Sequence, residues 1–238
     1  MKPLNQLKIK IFADGADKKS MLEMYRNPHV KGFTTNPTLM HNAGVRDYEA
    51  FAKDILQSIP DRPISFEVFA DDFSEMERQA RRIATWGKTV SVKIPVMNTK
   101  KESAAPLIAK LSKDGIALNV TAIFTIAQVQ AVADAAKGGA PCIVSVFAGR
   151  VADTGRDPLP LMIEAASRLA PLPNAELLWA STRELVNIVQ ADAIGCKIIT
   201  VPNDIIKKLS GWGKDLDESS LETVKIFFDH GKAAGFSL

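Results

Sequence analysis

Eight short runs rich in aliphatic and β-branched residues recur along the chain, each followed by a stretch with helical spacing. This alternation limits the possible folds more than any other feature. The runs fall at 8–14, 32–36, 64–69, 89–95, 117–122, 143–147, 177–181 and 198–201. Pro37, Pro95 and Pro202 close three of them, because proline cannot donate to a strand ladder. Helices are expected at 17–25, 38–41, 47–58, 101–111, 158–169, 184–193 and 219–233. Two more are expected, one capped by Ser74 with Glu77, Arg78, Arg81 and Arg82 on its wet side, and one running from Thr125 to the Gly138-Gly139 pair. Strands that alternate with helices imply a parallel sheet. Eight such units with no long linker predict an α/β fold, a (β/α)8 or TIM barrel, with an open doubly wound sheet as the alternative. No glycine-rich dinucleotide fingerprint follows the first run, which disfavours that alternative's usual cofactor.

The length of 238 residues suits one barrel, so a single domain over 1–238 is expected. The N-terminal apolar run is too short and interrupted for a signal peptide, and no run is long enough to span a bilayer, so a cytoplasmic protein without membrane association is predicted. Cys142 and Cys196 fit no metal spacing and are expected as buried free thiols. A net charge of +3 is too mild to argue for nucleic acid, yet it is compatible with small anionic substrates. His29, His41 and His230 lie in expected loops or helices, so neither a metal nor a cofactor is expected.

The fourth run, Thr89 to Pro95, carries Val90, Val92 and Ile94 on one parity and Thr89, Ser91 and Lys93 on the other. A lone lysine at a strand end commonly packs its stem and snorkels its ammonium into water. In a closed barrel it can instead become a desolvated nucleophile that forms a Schiff base. The other strands weigh on that choice. Ser65 and Glu67, Asn119 and Thr121, Ser145 and Phe147, and Ser181 and Arg183 alternate with aliphatic neighbours, while Asp14 and Asn36 end the first two runs. In a barrel these groups converge on the C-terminal mouth around Lys93. An amine, two carboxylates (Asp14, Glu67), neutral hydrogen-bonding groups and two arginines (Arg150, Arg183) suit carbon–carbon cleavage of a phosphorylated ketose.

The segments Gly32-Phe-Thr-Thr-Asn-Pro-Thr-Leu-Met40, Val92-Lys-Ile-Pro95, Asn119-Val-Thr121, Ser145-Val-Phe-Ala-Gly-Arg150 and Ser181-Thr-Arg183 resemble the transaldolase family, which includes short transaldolases and fructose-6-phosphate aldolase. The resemblance implies Lys93 as the Schiff-base lysine, Asp14 as the acid and base for cleavage, and Glu67 with Thr121 positioning a catalytic water. It further implies that Asn36, Asn119 and Ser145 bind the dihydroxyacetone part, that Arg150, Ser181 and Arg183 hold the phosphate, and that Thr35 and Phe147 also bind substrate. Gly15, Phe33, Val146, Met97-Asn98 and Thr182 depart from the family pattern, which bears on the acceptor sugar.

The expected activity is transfer of a dihydroxyacetone unit between phosphorylated sugars. An aldolase releasing free dihydroxyacetone is the nearer alternative, and for it the resemblance implies glutamine and tyrosine where this chain has Glu67 and Phe147. A non-catalytic sugar-phosphate binder is the other. The last stretch, with Leu221, Val224, Phe227 and Phe228 along one side, either closes its own barrel or reaches a neighbouring subunit. The resemblance implies the latter, in a homo-oligomer (pentamer or decamer).

Overall fold

In the computed structural model, which describes residues 2–236, eight parallel strands close on themselves. They are Lys10–Asp14 (β1), Val30–Thr34 (β2), Ile64–Glu67 (β3), Val90–Pro95 (β4), Leu118–Ile123 (β5), Cys142–Val146 (β6), Ala175–Trp179 (β7) and Ile198–Pro202 (β8). Each pairs with the next, and β8 returns to β1. The barrel reading therefore holds and the open sheet does not. Side chains alternate across the pleat, so one set points outward. Ile11 and Ala13, Val92 and Ile94, and Val144 and Val146 all join the core under the helices. Inside the barrel Phe12, Ile143, Leu178, Ala180 and Ile198 form a separate apolar plug. Each of its larger side chains, Phe12, Ile143, Leu178 and Ile198, contributes roughly 1.5 to 3 kcal/mol. Gly32 makes room for the plug, since a Cβ there would lie 2.6 Å from the Phe12 ring.

The helices are Lys18–Tyr25 (α1), Pro37–Asn42 (α2), Tyr48–Ser58 (α3), Phe73–Ala84 (α4), Ala105–Lys113 (α5), Ile126–Ala136 (α6), Ala148–Ala152 (α7), Leu159–Leu169 (α8), Val186–Ala193 (α9), Asn203–Lys207 (α10) and Leu216–Ala233 (α11). Side-chain caps explain several starts: Asp17, Asn36, Asp47 and Thr125 each accept a backbone N–H from the first turn. The fourth helix is capped by Asp72 and not by Ser74. The Asp72 carboxylate accepts from both the Ser74 and Glu75 amides, and its charge favours a helix N-terminus over a neutral hydroxyl. Cys142 and Cys196 are free and buried, and burial pushes both thiols up to about 12.

The segment past β8, where the sequence reading named no element, is partly helical: α10 and the 3-10 turn Lys208–Gly211 bury Ile205, Ile206 and Leu209 against the barrel. The last helix starts at Leu216 under an Asp215 cap and buries none of its residues. Leu221, Val224, Phe227 and Phe228 are exposed at 48–70%, so α11 does not close its own barrel. No helix among the described residues is long and apolar enough to cross a membrane.

Candidate active site

Strand register assembles the centre. Glu67 on β3 stands beside Lys93 on β4, which stands beside Asn119 on β5, so three polar side chains form one row inside the barrel. The Lys93 ammonium lies 3.1 Å from Glu67 Oε2 and donates to the Thr35 carbonyl at 2.9 Å. Only 7% of Lys93 is exposed, so its charge is held by these partners and not by bulk water. Asn119 extends the row. Its amide donates to Ser65 Oγ at 3.0 Å, and its carbonyl oxygen accepts from Ser145 Oγ at 2.6 Å. Both Asn119 orientations are thereby fixed, and a rigid polar floor results.

Asp14 sits across from this row, at the end of β1. The cavity leaves it partly open, yet the walls around it exclude enough water that burial raises its carboxyl above the usual carboxylate range. The nearby Lys93 charge and the Thr34 hydroxyl, which donates to Asp14 Oδ1 at 2.8 Å, pull the other way without cancelling burial. Thr34 also hydrogen-bonds Thr200 on β8. A cavity of about 190 Å³ opens among Asp14, Lys93, Asn119 and Ser145. Thr121 lines it with a buried hydroxyl that has no partner among the described residues.

Two arginines stand at the rim. Arg150 on α7 lies over the Phe147 ring, 5.4 Å from its centroid. Arg183 pairs with Asp153 through Nε and Nη2, at 3.1 and 2.5 Å, which holds the Asp153 carboxyl below the usual carboxylate range. Gly149 allows this convergence. A Cβ there would lie 1.6 Å from the Ser181 carbonyl oxygen, so only glycine lets α7 pack against the end of β7.

The structure brings Asp14, Asn36, Lys93, Asn119, Thr121 and Ser145 to one cavity. Phe147, Arg150, Ser181 and Arg183 complete its wall. Glu67 reaches that cavity through Lys93. Thr35 is different: it is fully buried with its hydroxyl donating to the Ser65 carbonyl, so its side chain is spent on the barrel wall and its contribution is the carbonyl under Lys93. The neighbouring Thr34 faces the cavity instead. The parity expected on β7 is also reversed. Leu178 and Ala180 line the interior while Leu177 and Trp179 meet the helices. Ser181 still faces the cavity because its φ of 61° breaks the strand alternation just past β7. Thr34 and Thr200 escaped the sequence reading, although the alternation of Ile198 and Thr200 with Ile199 and Val201 carries the signal for the second. Asp153, just past α7, and Tyr48, at the start of α3, lie away from any strand pattern, and nothing local marks them.

The family described as Transaldolase/Fructose-6-phosphate aldolase matches residues 11–237. A protein named "Probable transaldolase" from Dehalococcoides mccartyi is 34% identical over 202 residues, covering 84% of this chain and 90% of that one. Another of that name, from Streptococcus agalactiae serotype V, is 35% identical over 216 residues, covering 90% of this chain and 95% of that one. Among solved structures, 3-hexulose-6-phosphate synthase from Salmonella typhimurium superposes with a TM-score of 0.58 at 14% identity, over 84% of this chain and 91% of that one, which speaks to the barrel alone.

Proposed function

This chain belongs to the transaldolase/fructose-6-phosphate aldolase family, and from that premise we propose that it moves a dihydroxyacetone unit from a ketose phosphate to an aldose phosphate through a Schiff base on Lys93. The observation that carries the reading is the burial of one amine between a carboxylate and a carbonyl at the floor of a cavity with two guanidiniums at its rim.

After handing a proton to a neighbouring carboxylate, the Lys93 amine attacks the ketone carbon, and loss of water from the carbinolamine leaves a protonated imine. Thr121, whose hydroxyl has no partner among the described residues, and Glu67 hold that water and move its protons. Asp14, made more basic by burial, takes the proton of the alcohol two carbons from the imine carbon. The carbon–carbon bond breaks, the alcohol leaves as an aldehyde, and the bonding pair becomes an enamine on Lys93. An incoming aldehyde is attacked by that enamine, and Asp14 returns the proton to the new alkoxide. Asn36, Asn119 and Ser145 grip the hydroxyls of the dihydroxyacetone unit, and Arg150, Ser181 and Arg183 the phosphate.

Phe147 favours transfer over release, because it has no hydroxyl with which to protonate the enamine. The test is product analysis with fructose 6-phosphate alone and with an added aldose phosphate. Glyceraldehyde 3-phosphate should accumulate in proportion to the acceptor, and steady formation of free dihydroxyacetone without acceptor would overturn the transferase reading in favour of an aldolase. The exposed apolar side of α11 supports a homo-oligomer in which this helix packs on a neighbouring copy.

A further inference from the structure

The ladder between β2 and β3 stops one step short of where its register would carry it. Phe33 N donates to the Pro63 carbonyl and Thr35 N to the Ser65 carbonyl. The next bond in a parallel ladder would join Glu67 N to the Thr35 carbonyl. That carbonyl is turned to the Lys93 ammonium, at 2.9 Å. Glu67 is thereby deprived of its strand partner at the residue whose carboxylate meets the lysine. Left unpaired at a half-buried position, its backbone N–H would carry a desolvation cost and let the strand end wander.

The first residue of α3 fills the gap. The Tyr48 hydroxyl accepts from Glu67 N at 2.8 Å and donates to the Glu67 carbonyl at 3.0 Å, so one phenol satisfies both backbone groups of that residue. Burial keeps the phenol protonated well above its ordinary range, which preserves the donor. Edge-on contacts hold its ring: Phe66 at 6.2 Å, Phe69 at 5.8 Å and Trp86 at 5.5 Å between centroids. The Asp47 cap sets the start of the helix from which it projects.

We propose that Tyr48 is a positioning residue for the reaction, replacing the ladder partner that β3 gives up so that the Thr35 carbonyl can hold Lys93, and thereby fixing the Glu67 carboxylate against the lysine. The catalytic consequence rests on the Schiff-base reading of Lys93; the structural one does not.

A double-mutant cycle with Tyr48→Phe and Glu67→Gln, combined with hydrogen exchange, tests it. Tyr48→Phe keeps the ring and should lower kcat for transfer about tenfold, with KM little changed, as a displaced reacting group would. In the Glu67→Gln background the same change should cost less than about twofold, because the group it positions is already altered. An undiminished tenfold loss there, or an unchanged kcat in the single variant, would overturn the proposal. Peptides covering 62–72 should exchange faster in Tyr48→Phe, with protection elsewhere kept. Equal exchange in that segment, or collapse of the whole fold, would also contradict a local role for the hydroxyl. A parent that forms no Schiff base would sink the mechanism, and the exchange result would still decide for or against Tyr48.

Discussion

Asp14 is the side chain whose environment most directly sets a measurable pH dependence. Burial raises its pKa in the folded chain, so ionising it works against the fold. The stability it grants is complete below the ordinary carboxylate value of 3.8 and is lost as pH rises through the higher folded value. Asp14→Asn should therefore raise Tm relative to the parent at pH 7, and the gain should vanish near pH 3.5; a constant difference across that window would contradict the desolvated carboxyl. Activity runs in the opposite direction, because the base must be ionised. The acid limb of kcat/KM should fall above the usual carboxylate range and disappear with the residue. Arg150 and Arg183 should behave otherwise, since the proposed reaction puts the phosphate they would hold away from the bond being broken. Changing either to Ala is expected to raise KM for a phosphorylated ketose about tenfold or more with a smaller effect on kcat, measured by steady-state kinetics. Asp153 occupies the Nε–Nη2 edge of Arg183 and competes with a phosphate for it, so Asp153→Ala should lower that KM. Asp14, Glu67, Lys93, Asn119 and Ser145 were legible in the sequence because each sits on a strand whose parity assigns it to the interior. Thr35 was named through the family resemblance and not through parity; its side chain is on the outward parity, bonded into the barrel wall, and its carbonyl is what meets Lys93.

The βα units place these groups, and their junctions are less forgiving than the strands themselves. Gly149 is the clearest case. Any Cβ there collides with the Ser181 carbonyl, so Gly149→Ala must push α7 away from the end of β7. A loss of roughly 1 to 3 kcal/mol is expected from overpacking, read as a lower denaturation midpoint, together with weaker binding of phosphorylated sugars. A variant as stable as the parent would show that this contact is not required. The junctions are also where the sequence misled. On β7, reading Leu178 and Ala180 as outward ignored the positive φ of Ser181, which no alternation pattern reveals. On β3, the missing ladder bond and its replacement by Tyr48 involve three elements, β2, β3 and α3, that only the folded chain brings together. The cap of α4 was misread by two residues because Asp72 and Ser74 both suit a helix start, and only geometry separates them.

Across the molecule, eight alternating units were enough to specify a closed barrel, because right-handed parallel crossovers leave few other ways to cover both faces of the sheet. What the pattern could not specify was the fate of α11. Its spacing is amphipathic in either role, and the structure leaves Phe227 and Phe228 at 70% and 68% exposure. Such a face is expected to be covered by another copy. Sedimentation of the parent at micromolar concentration should give an oligomer, and removal of residues 216–238 should give smaller species; a monomeric parent would refute it. The claim on which the rest depends is that Lys93 is the nucleophile, and covalent trapping reads it most directly. Incubation with fructose 6-phosphate followed by borohydride should add one reduced adduct to the peptide carrying Lys93, and Lys93→Ala and Lys93→Arg should gain nothing while keeping the fold. An adduct on another lysine, or an unmodified parent, would contradict the account.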